Sequence, residues 1–164
     1  MILKLLNKNQ LKIDDFVFKC SIGLNGLSSN KKEGDLKTPK GLFGIGNLYY
    51  RKDRIKNISS NLNSKVITKK LLWCHDLSSK KFYNKLVYKN KKLKGESLYR
   101  KDHKYDLLIP IKYNTYKRIV GKGSCIFLHI TNNYKPTAGC IAIKKKDFLI
   151  LVKIIKKNSK IDIN

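Results

Sequence analysis

Short apolar runs recur along this chain, and polar stretches rich in lysine and asparagine separate them. Runs of this length favour β-strands, because an amphipathic helix needs about ten or more residues with apolar side chains three and four apart. The segment 11–22 is rich in Phe, Val and Ile and is predicted as one strand, whereas the polar segment 51–64 is predicted as loop. Further strands are predicted at residues 48–50, 66–67, 71–73, 107–109, 125–130 and 160–163.

One segment near the end of the chain has helical spacing. Phe148, Leu151 and Ile155 follow one another at intervals of three and four, which predicts a buried face. Asp147 is predicted to cap the start of this helix, and Asn158 is predicted to end it.

The stretch from residue 23 to residue 41 is rich in turn-forming residues. Pro39 fixes one backbone angle and Gly41 permits a positive one, so residues 38–41 are predicted to form a tight turn.

Many short strands and one helix make the predicted fold class mainly β, with the C-terminal helix packed on the sheet. The chain has 164 residues and shows neither internal repeats nor a low-complexity linker, so we expect a single domain over residues 1–164. An apolar fraction of 41% excludes general disorder. No apolar run approaches the ~20 residues that a membrane-spanning helix requires.

The net charge of +26 suggests a polyanionic partner, and nucleic acid is the first candidate to test. Only four of the 37 basic residues are arginine, although arginine is the preferred reader of phosphate and guanine. Lysine, asparagine and isoleucine share A/T-rich codons, so genome composition accounts for the charge without a nucleic-acid partner. A basic, non-enzymatic module that binds nucleic acid or an anionic cell-wall polymer stays open as the alternative function.

The cysteines Cys20, Cys74, Cys125 and Cys140 are widely spaced and form no C-x-x-C pair. A zinc ribbon or a thioredoxin-type site is therefore not expected, and we predict no metal site from these residues. The apolar start, residues 1–6, is too short for the core of a signal peptide, so no export signal is visible.

A histidine and a cysteine stand at the ends of two apolar segments. His129 closes the run 124–130, and Cys140 opens the next run after the loop residues Thr137, Ala138 and Gly139. An imidazole beside a thiol can take its proton, which predicts a nucleophilic Cys140 with a depressed pKa. Gly139 leaves room beside the sulfur and lets backbone N–H groups approach an oxyanion. By itself this pair leaves open an unreactive buried thiol and a core histidine.

Several motifs in the right order resemble the YkuD-type (ErfK/YbiS/YcfS/YnhG) L,D-transpeptidases. The matching segments are E-G-D with T-P-K-G-L-F at 33–43, W-C-H-D with Y-N at 73–84, the Asp–Tyr–Asp element at 98–106, G-K-G-S-C-I-F-L-H at 121–129 and P-T-A-G-C at 136–140. The last of these resembles a short subgroup of the family. Two positions depart from the usual pattern, because Ala138 replaces a histidine and Ala142 replaces an arginine.

The resemblance implies a sandwich-like catalytic domain that acts on peptidoglycan stem peptides and needs no cofactor. It implies that Cys140 forms a thioester with a stem peptide, that His129 is the base, and that the turn 137–139 surrounds the oxyanion. Cross-linking of two stems, exchange of the terminal D-amino acid and its hydrolysis are all open outcomes. The family implies the periplasm or cell envelope, whereas the missing export signal leaves the cytoplasm open. We expect a monomer.

Six further residues are weaker candidates for substrate binding. Three of them, Trp73, His75 and Asp76, could line the groove, although a structural turn is the more frequent role of such residues. Arg54 and Arg100 could receive carboxylates, and Tyr134 could close over the site from the loop after His129.

Overall fold

The computed structural model describes residues 1–164 as fifteen strands and one helix. In chain order these are β1 (Ile2–Asn7), β2 (Gln10–Ile13), β3 (Phe16–Ser21), β4 (Leu27–Ser28), β5 (Thr38–Pro39), β6 (Gly41–Gly44), β7 (Leu48–Tyr50), β8 (Ser64–Val66), β9 (Leu71–Cys74), β10 (Leu86–Tyr88), β11 (Gly95–Ser97), β12 (Leu107–Pro110), β13 (Phe127–Ile130), β14 (Ile141–Ile143), α1 (Lys145–Ile154) and β15 (Lys160–Ile163). The predicted mainly-β class is confirmed.

Ten of the strands form one curled sheet in the order β6-β15-β1-β2-β3-β14-β13-β12-β7-β8. Most neighbours are antiparallel, but three pairs run parallel, namely β13–β14, β1–β15 and β7–β8. A parallel pair needs a crossover, and the loop 131–140 supplies it between β13 and β14. A smaller sheet, β10-β9-β11, lies beside β13, with Trp73 of β9 edge-on to Phe127 at 5.1 Å between ring centroids.

The core lies between the curled sheet and α1. Phe148, Leu151, Val152 and Ile155 are fully buried there, which confirms the predicted face of the helix. The ends of the helix differ from the prediction. It begins after Lys144 and ends at Ile154, so Asp147 lies within its first turn instead of capping it. There it still favours the helix, because an acidic side chain near the N-terminus complements the macrodipole.

Two further predictions of local structure were wrong. The segment 11–22 is a hairpin of β2 and β3 instead of one strand, and Asp14 turns the chain with a φ of +48°. Residues 38–41 are extended instead of turned, because Thr38 and Pro39 pair with β4 and Gly41 begins β6. The single helix is too short and too polar to cross a membrane.

Candidate active site

The parallel pair β13–β14 sets the position of His129 and Cys140. His129 lies directly opposite Ala142 in the register, and Cys140 precedes Ala142 by two residues. Side chains two apart on an extended chain share a face, so His129 and Cys140 point to the same side of the sheet. Both line one cavity of about 330 Å³. The small side chain of Ala142 lines this cavity as well.

His129 is held in the tautomer that a base requires. Its Nδ1 lies 2.9 Å from the carbonyl oxygen of Ile130. A carbonyl can only accept, so Nδ1 carries the proton and donates it, and Nε2 is left as an acceptor. The ring also stands edge-on to Tyr105, at 5.3 Å between centroids. Burial lowers the pKa of His129 to about 4, so the imidazole is neutral at pH 7.

Cys140 is a protonated thiol in this structure. Its Sγ lies 3.2 Å from the carbonyl oxygen of Cys125, to which the thiol donates, and 3.4 Å from the backbone nitrogen of Phe127, from which it accepts. Burial and the charge of Glu96 raise the pKa of Cys140 to about 12. The depressed pKa expected from the sequence is therefore wrong. The thiol bonds to a carbonyl and not to His129, and burial penalises the thiolate.

The turn before Cys140 is shaped by Thr137 and Gly139. The Thr137 hydroxyl donates to the Cys140 carbonyl oxygen at 2.6 Å and accepts the Gly139 N–H at 3.1 Å. Gly139 has a φ of +137°, and a Cβ there would lie 2.7 Å from the Lys37 carbonyl oxygen, so only glycine fits. The Gly139 N–H is occupied, whereas the Cys140 N–H has no partner within the chain. Ala138 is exposed at the cavity wall.

Three of the weaker candidates lie away from the cavity. Trp73 packs behind β13 and donates from Nε1 to Asn84 at 2.9 Å. Asp76 is buried in a turn, where hydrogen bonds from Ser78 and from the Lys94 N–H lower its pKa to about 2. Arg54 pairs with Asp106 at 2.9 Å and binds backbone carbonyls of the 101–102 segment. We interpret these contacts as structural.

Arg100 and Tyr134 differ in their relation to the cavity. Arg100 lines it, but its guanidinium already binds Asp102 at 2.7 Å and Glu96 at 3.1 Å. Tyr134 is not part of the cavity wall, and the ammonium groups of Lys19 and Lys144 lie over its ring at 4.7 and 5.5 Å from the centroid.

Several residues of the cavity wall were not predicted as site residues from the sequence. They are Lys31, Glu33, Glu96, Lys104, Tyr105 and Lys135. Glu33 lies in the E-G-D motif, and its carboxylate accepts hydrogen bonds from Tyr83 and Ser124. That motif was the available signal, because Glu33 and its neighbours reach the cavity through the loop between β4 and β5. His75 also lines the cavity, whereas His103 is exposed and pairs with Asp106 elsewhere.

Comparison with known proteins identifies the family of this chain. Searches of curated proteins and of solved structures found no match. A model of the YkuD family, described as the L,D-transpeptidase catalytic domain, matches residues 3–163. The match spans nearly the whole chain and includes both segments that carry His129 and Cys140. The chain therefore belongs to the YkuD family of L,D-transpeptidase catalytic domains.

Proposed function

We propose that the protein is a cysteine acyltransferase that cuts and rejoins peptidoglycan stem peptides through a thioester on Cys140. Family membership implies an L,D-transpeptidase that acts on peptidoglycan in the cell envelope. One observation carries the finer proposal. Cys140 and His129 lie on one face of the sheet and line one cavity. Because Nδ1 of His129 donates to a backbone carbonyl, Nε2 is the only basic atom of the ring.

The first half-reaction transfers the acyl group to the enzyme. The Cys140 sulfur attacks the carbonyl that joins the third stem residue to the terminal D-alanine, and its proton passes to His129 Nε2. The unpartnered Cys140 N–H supports the proposed oxyanion position. When the tetrahedral intermediate collapses, the carbon–nitrogen bond breaks and His129 returns the proton to the departing amine of D-alanine. The product is a thioester on Cys140.

The second half-reaction resolves the thioester. The side-chain amine of a diamino acid in a second stem attacks the thioester carbonyl, His129 accepts its proton, and the Cys140 thiol is regenerated. This joins the third residues of two stems. Water in place of the amine would give an L,D-carboxypeptidase, and a free D-amino acid would give exchange. The buried thiol and imidazole begin this cycle uncharged, so proton transfer accompanies the attack on the substrate.

The test is incubation with purified tetrapeptide muropeptides, followed by chromatography for free D-alanine and for dimers. Wild-type protein should release D-alanine, and Cys140→Ala should release none. His129→Ala should lose about 100-fold or more, the usual range for a general base. Cys20→Ala is the matched control, because Cys20 is a buried thiol on β3 outside the cavity wall. Equal D-alanine release by Cys140→Ala and wild type would contradict the proposed role of Cys140. No release by wild-type protein would leave the basic binding module as the remaining interpretation.

We further propose that residues 1–164 act as one catalytic domain and as a monomer. The curled sheet supports the single domain, because β1 near the start of the chain pairs with β15 near its end. Sedimentation of the active protein tests the monomer, and a dimer at assay concentration would contradict it.

A further inference from the structure

Lys31 is the only buried lysine among the 33 in the chain. It lies in the loop between β4 and β5, its relative exposure is 4%, and it lines the cavity that contains Cys140. Burying a charge costs free energy, and an ion pair seldom stabilises a core more than apolar residues of the same size. A buried lysine beside the proposed nucleophile therefore needs an explanation other than stability.

Two glycines and one aspartate hold the Lys31 side chain in place. Its methylene chain crosses Gly123, where an added Cβ would lie only 3.0 to 3.2 Å from Cγ, Cδ and Cε. Its ammonium reaches Gly139, where Nζ would lie 3.5 Å from an added Cβ. Asp35 accepts from Nζ at 2.6 Å. The ammonium is thus fixed next to the residue that precedes Cys140.

The Lys31 ammonium has one hydrogen-bond donor to spare. Of its three N–H groups, one binds Asp35 and one binds the Lys32 carbonyl oxygen at 3.3 Å. No third partner exists within the chain. The Asp35 carboxylate is fully engaged, because it also accepts the backbone N–H groups of Lys32 and Lys37.

The other charged groups of the cavity wall are committed or lie at its edge. Arg100 is bound by two carboxylates, and Glu33 is bound by two hydroxyl groups. Lys135 is exposed, and Lys104 is half-buried. Ala142, which also lines the cavity, offers no charge. Lys31 is therefore the cation that lies deepest beside the proposed nucleophile.

We propose that the Lys31 ammonium binds the free carboxylate of the terminal D-amino acid of the acyl donor. This inference rests on the proposed function. The carboxylate belongs to the residue that follows the scissile carbonyl, so holding it beside Gly139 places that carbonyl over the Cys140 sulfur. A buried charge-assisted hydrogen bond of this kind makes the enzyme select stems by a free C-terminus. Lys31 becomes a specificity-determining residue, and Asp35 positions it.

The experiment compares two donors, a tetrapeptide stem that ends in D-alanine and the same stem that ends in D-alanine amide. The measured quantity is kcat/KM for release of the terminal residue. Wild-type protein should prefer the free acid by about 10- to 100-fold, the usual value of a hydrogen bond to a charged group. Lys31→Met should bring the ratio to within about twofold of unity, mainly by losing activity on the acid. Lys31→Arg should keep the preference, because the charge remains.

Two controls separate binding from folding. Lys32→Met changes the neighbouring exposed lysine and should leave the donor ratio as in wild type. Lys31→Met leaves Asp35 unpaired, so Lys31→Met/Asp35→Asn removes both charges and should give the same loss of preference in a folded protein. A wild-type ratio near one, or an unchanged ratio in folded Lys31→Met or in the double variant, would overturn the role of Lys31. If wild-type protein releases nothing from either donor, the proposed function itself fails.

Discussion

The protonated state of Cys140 leads to a prediction about its reactivity in the absence of substrate. Burial raises its pKa to about 12 from an ordinary value of 9.0. At pH values below both of these pKa values, each pKa unit changes the thiolate fraction tenfold. The thiolate of Cys140 at pH 7.5 is therefore about a thousandfold rarer than that of an ordinary cysteine. Because iodoacetamide reacts with the thiolate, alkylation of Cys140 should be slower by at least that factor.

The assay is peptide mass spectrometry of protein quenched at intervals during iodoacetamide treatment between pH 6 and pH 10. The Cys140 rate should rise about tenfold per pH unit without a plateau, because its titration lies above this range. His129→Ala should change this rate by less than about threefold, although it should reduce turnover by about 100-fold or more. The difference follows because His129 is neutral and the Cys140 thiol bonds to the Cys125 carbonyl and not to His129.

A fast reaction of Cys140 with a plateau at or below neutral pH would refute this reasoning. It would show that a thiolate–imidazolium pair exists before substrate binds. In that case His129→Ala would slow alkylation strongly. Unfolded protein in denaturant is the control, since its four cysteines should react at the rate of ordinary thiols.

Three further predictions concern stability and substrate binding. The pKa of His129 falls from 6.5 to about 4 on folding, so only the unfolded state gains the proton as the pH drops through this range. Between pH 6.5 and pH 4, wild-type protein should therefore lose roughly 3 kcal/mol of unfolding free energy that His129→Leu does not lose. Equal losses of the two proteins in urea titrations would contradict this. Gly139→Ala should lower the free energy of unfolding by about 2 kcal/mol or more and abolish turnover. Gly26 also has a positive φ but lies in open space, so Gly26→Ala should lower the free energy of unfolding by only about 1 kcal/mol in the same titrations and keep turnover. Arg54→Met should lower the melting temperature with an unchanged KM, because Arg54 holds Asp106 and the 101–102 segment away from the cavity. A raised KM with an unchanged melting temperature would contradict this assignment.

The position of His129 and Cys140 in one cavity could be predicted from the sequence because its determinants are local. His129 and Cys140 end and begin apolar strands, and Gly139 is the residue that a positive φ beside a carbonyl requires. The mainly-β class followed from the short apolar runs in the same way. The buried face of α1 followed from spacing, but its start at Lys145 depends on the preceding strand and not on a capping side chain.

The surroundings of the pair depend on contacts between distant parts of the chain. Glu33 bonds through its backbone to Gly121, and Gly23 forms a bridge with Thr137, so two loops about a hundred residues apart in sequence enclose the cavity. Spacing alone carries no signal for such contacts. In the sequence Lys31 is one lysine among many, and only the packing of these loops shows that it is buried.

The predicted pKa of the Cys140 thiol was wrong because it, too, depends on a contact that spacing does not indicate. The carbonyl that accepts from Cys140 belongs to Cys125, whose φ of +54° is unusual for a residue other than glycine. A cysteine followed by an isoleucine gives no sequence signal for that conformation. The hairpin at Asp14 was missed similarly, since Asp14 adopts positive φ without a glycine beside it.

The central claim is that Cys140 carries the acyl group, and intact-protein mass spectrometry tests it most directly. Protein mixed with a tetrapeptide stem and quenched in acid within the first turnovers should gain the mass of the stem less its terminal D-alanine, and fragmentation should locate that mass on Cys140. Cys140→Ala should gain none, and Cys20→Ala should gain it as wild type does. An adduct on another residue, or D-alanine release by Cys140→Ala at the wild-type rate, would contradict the account.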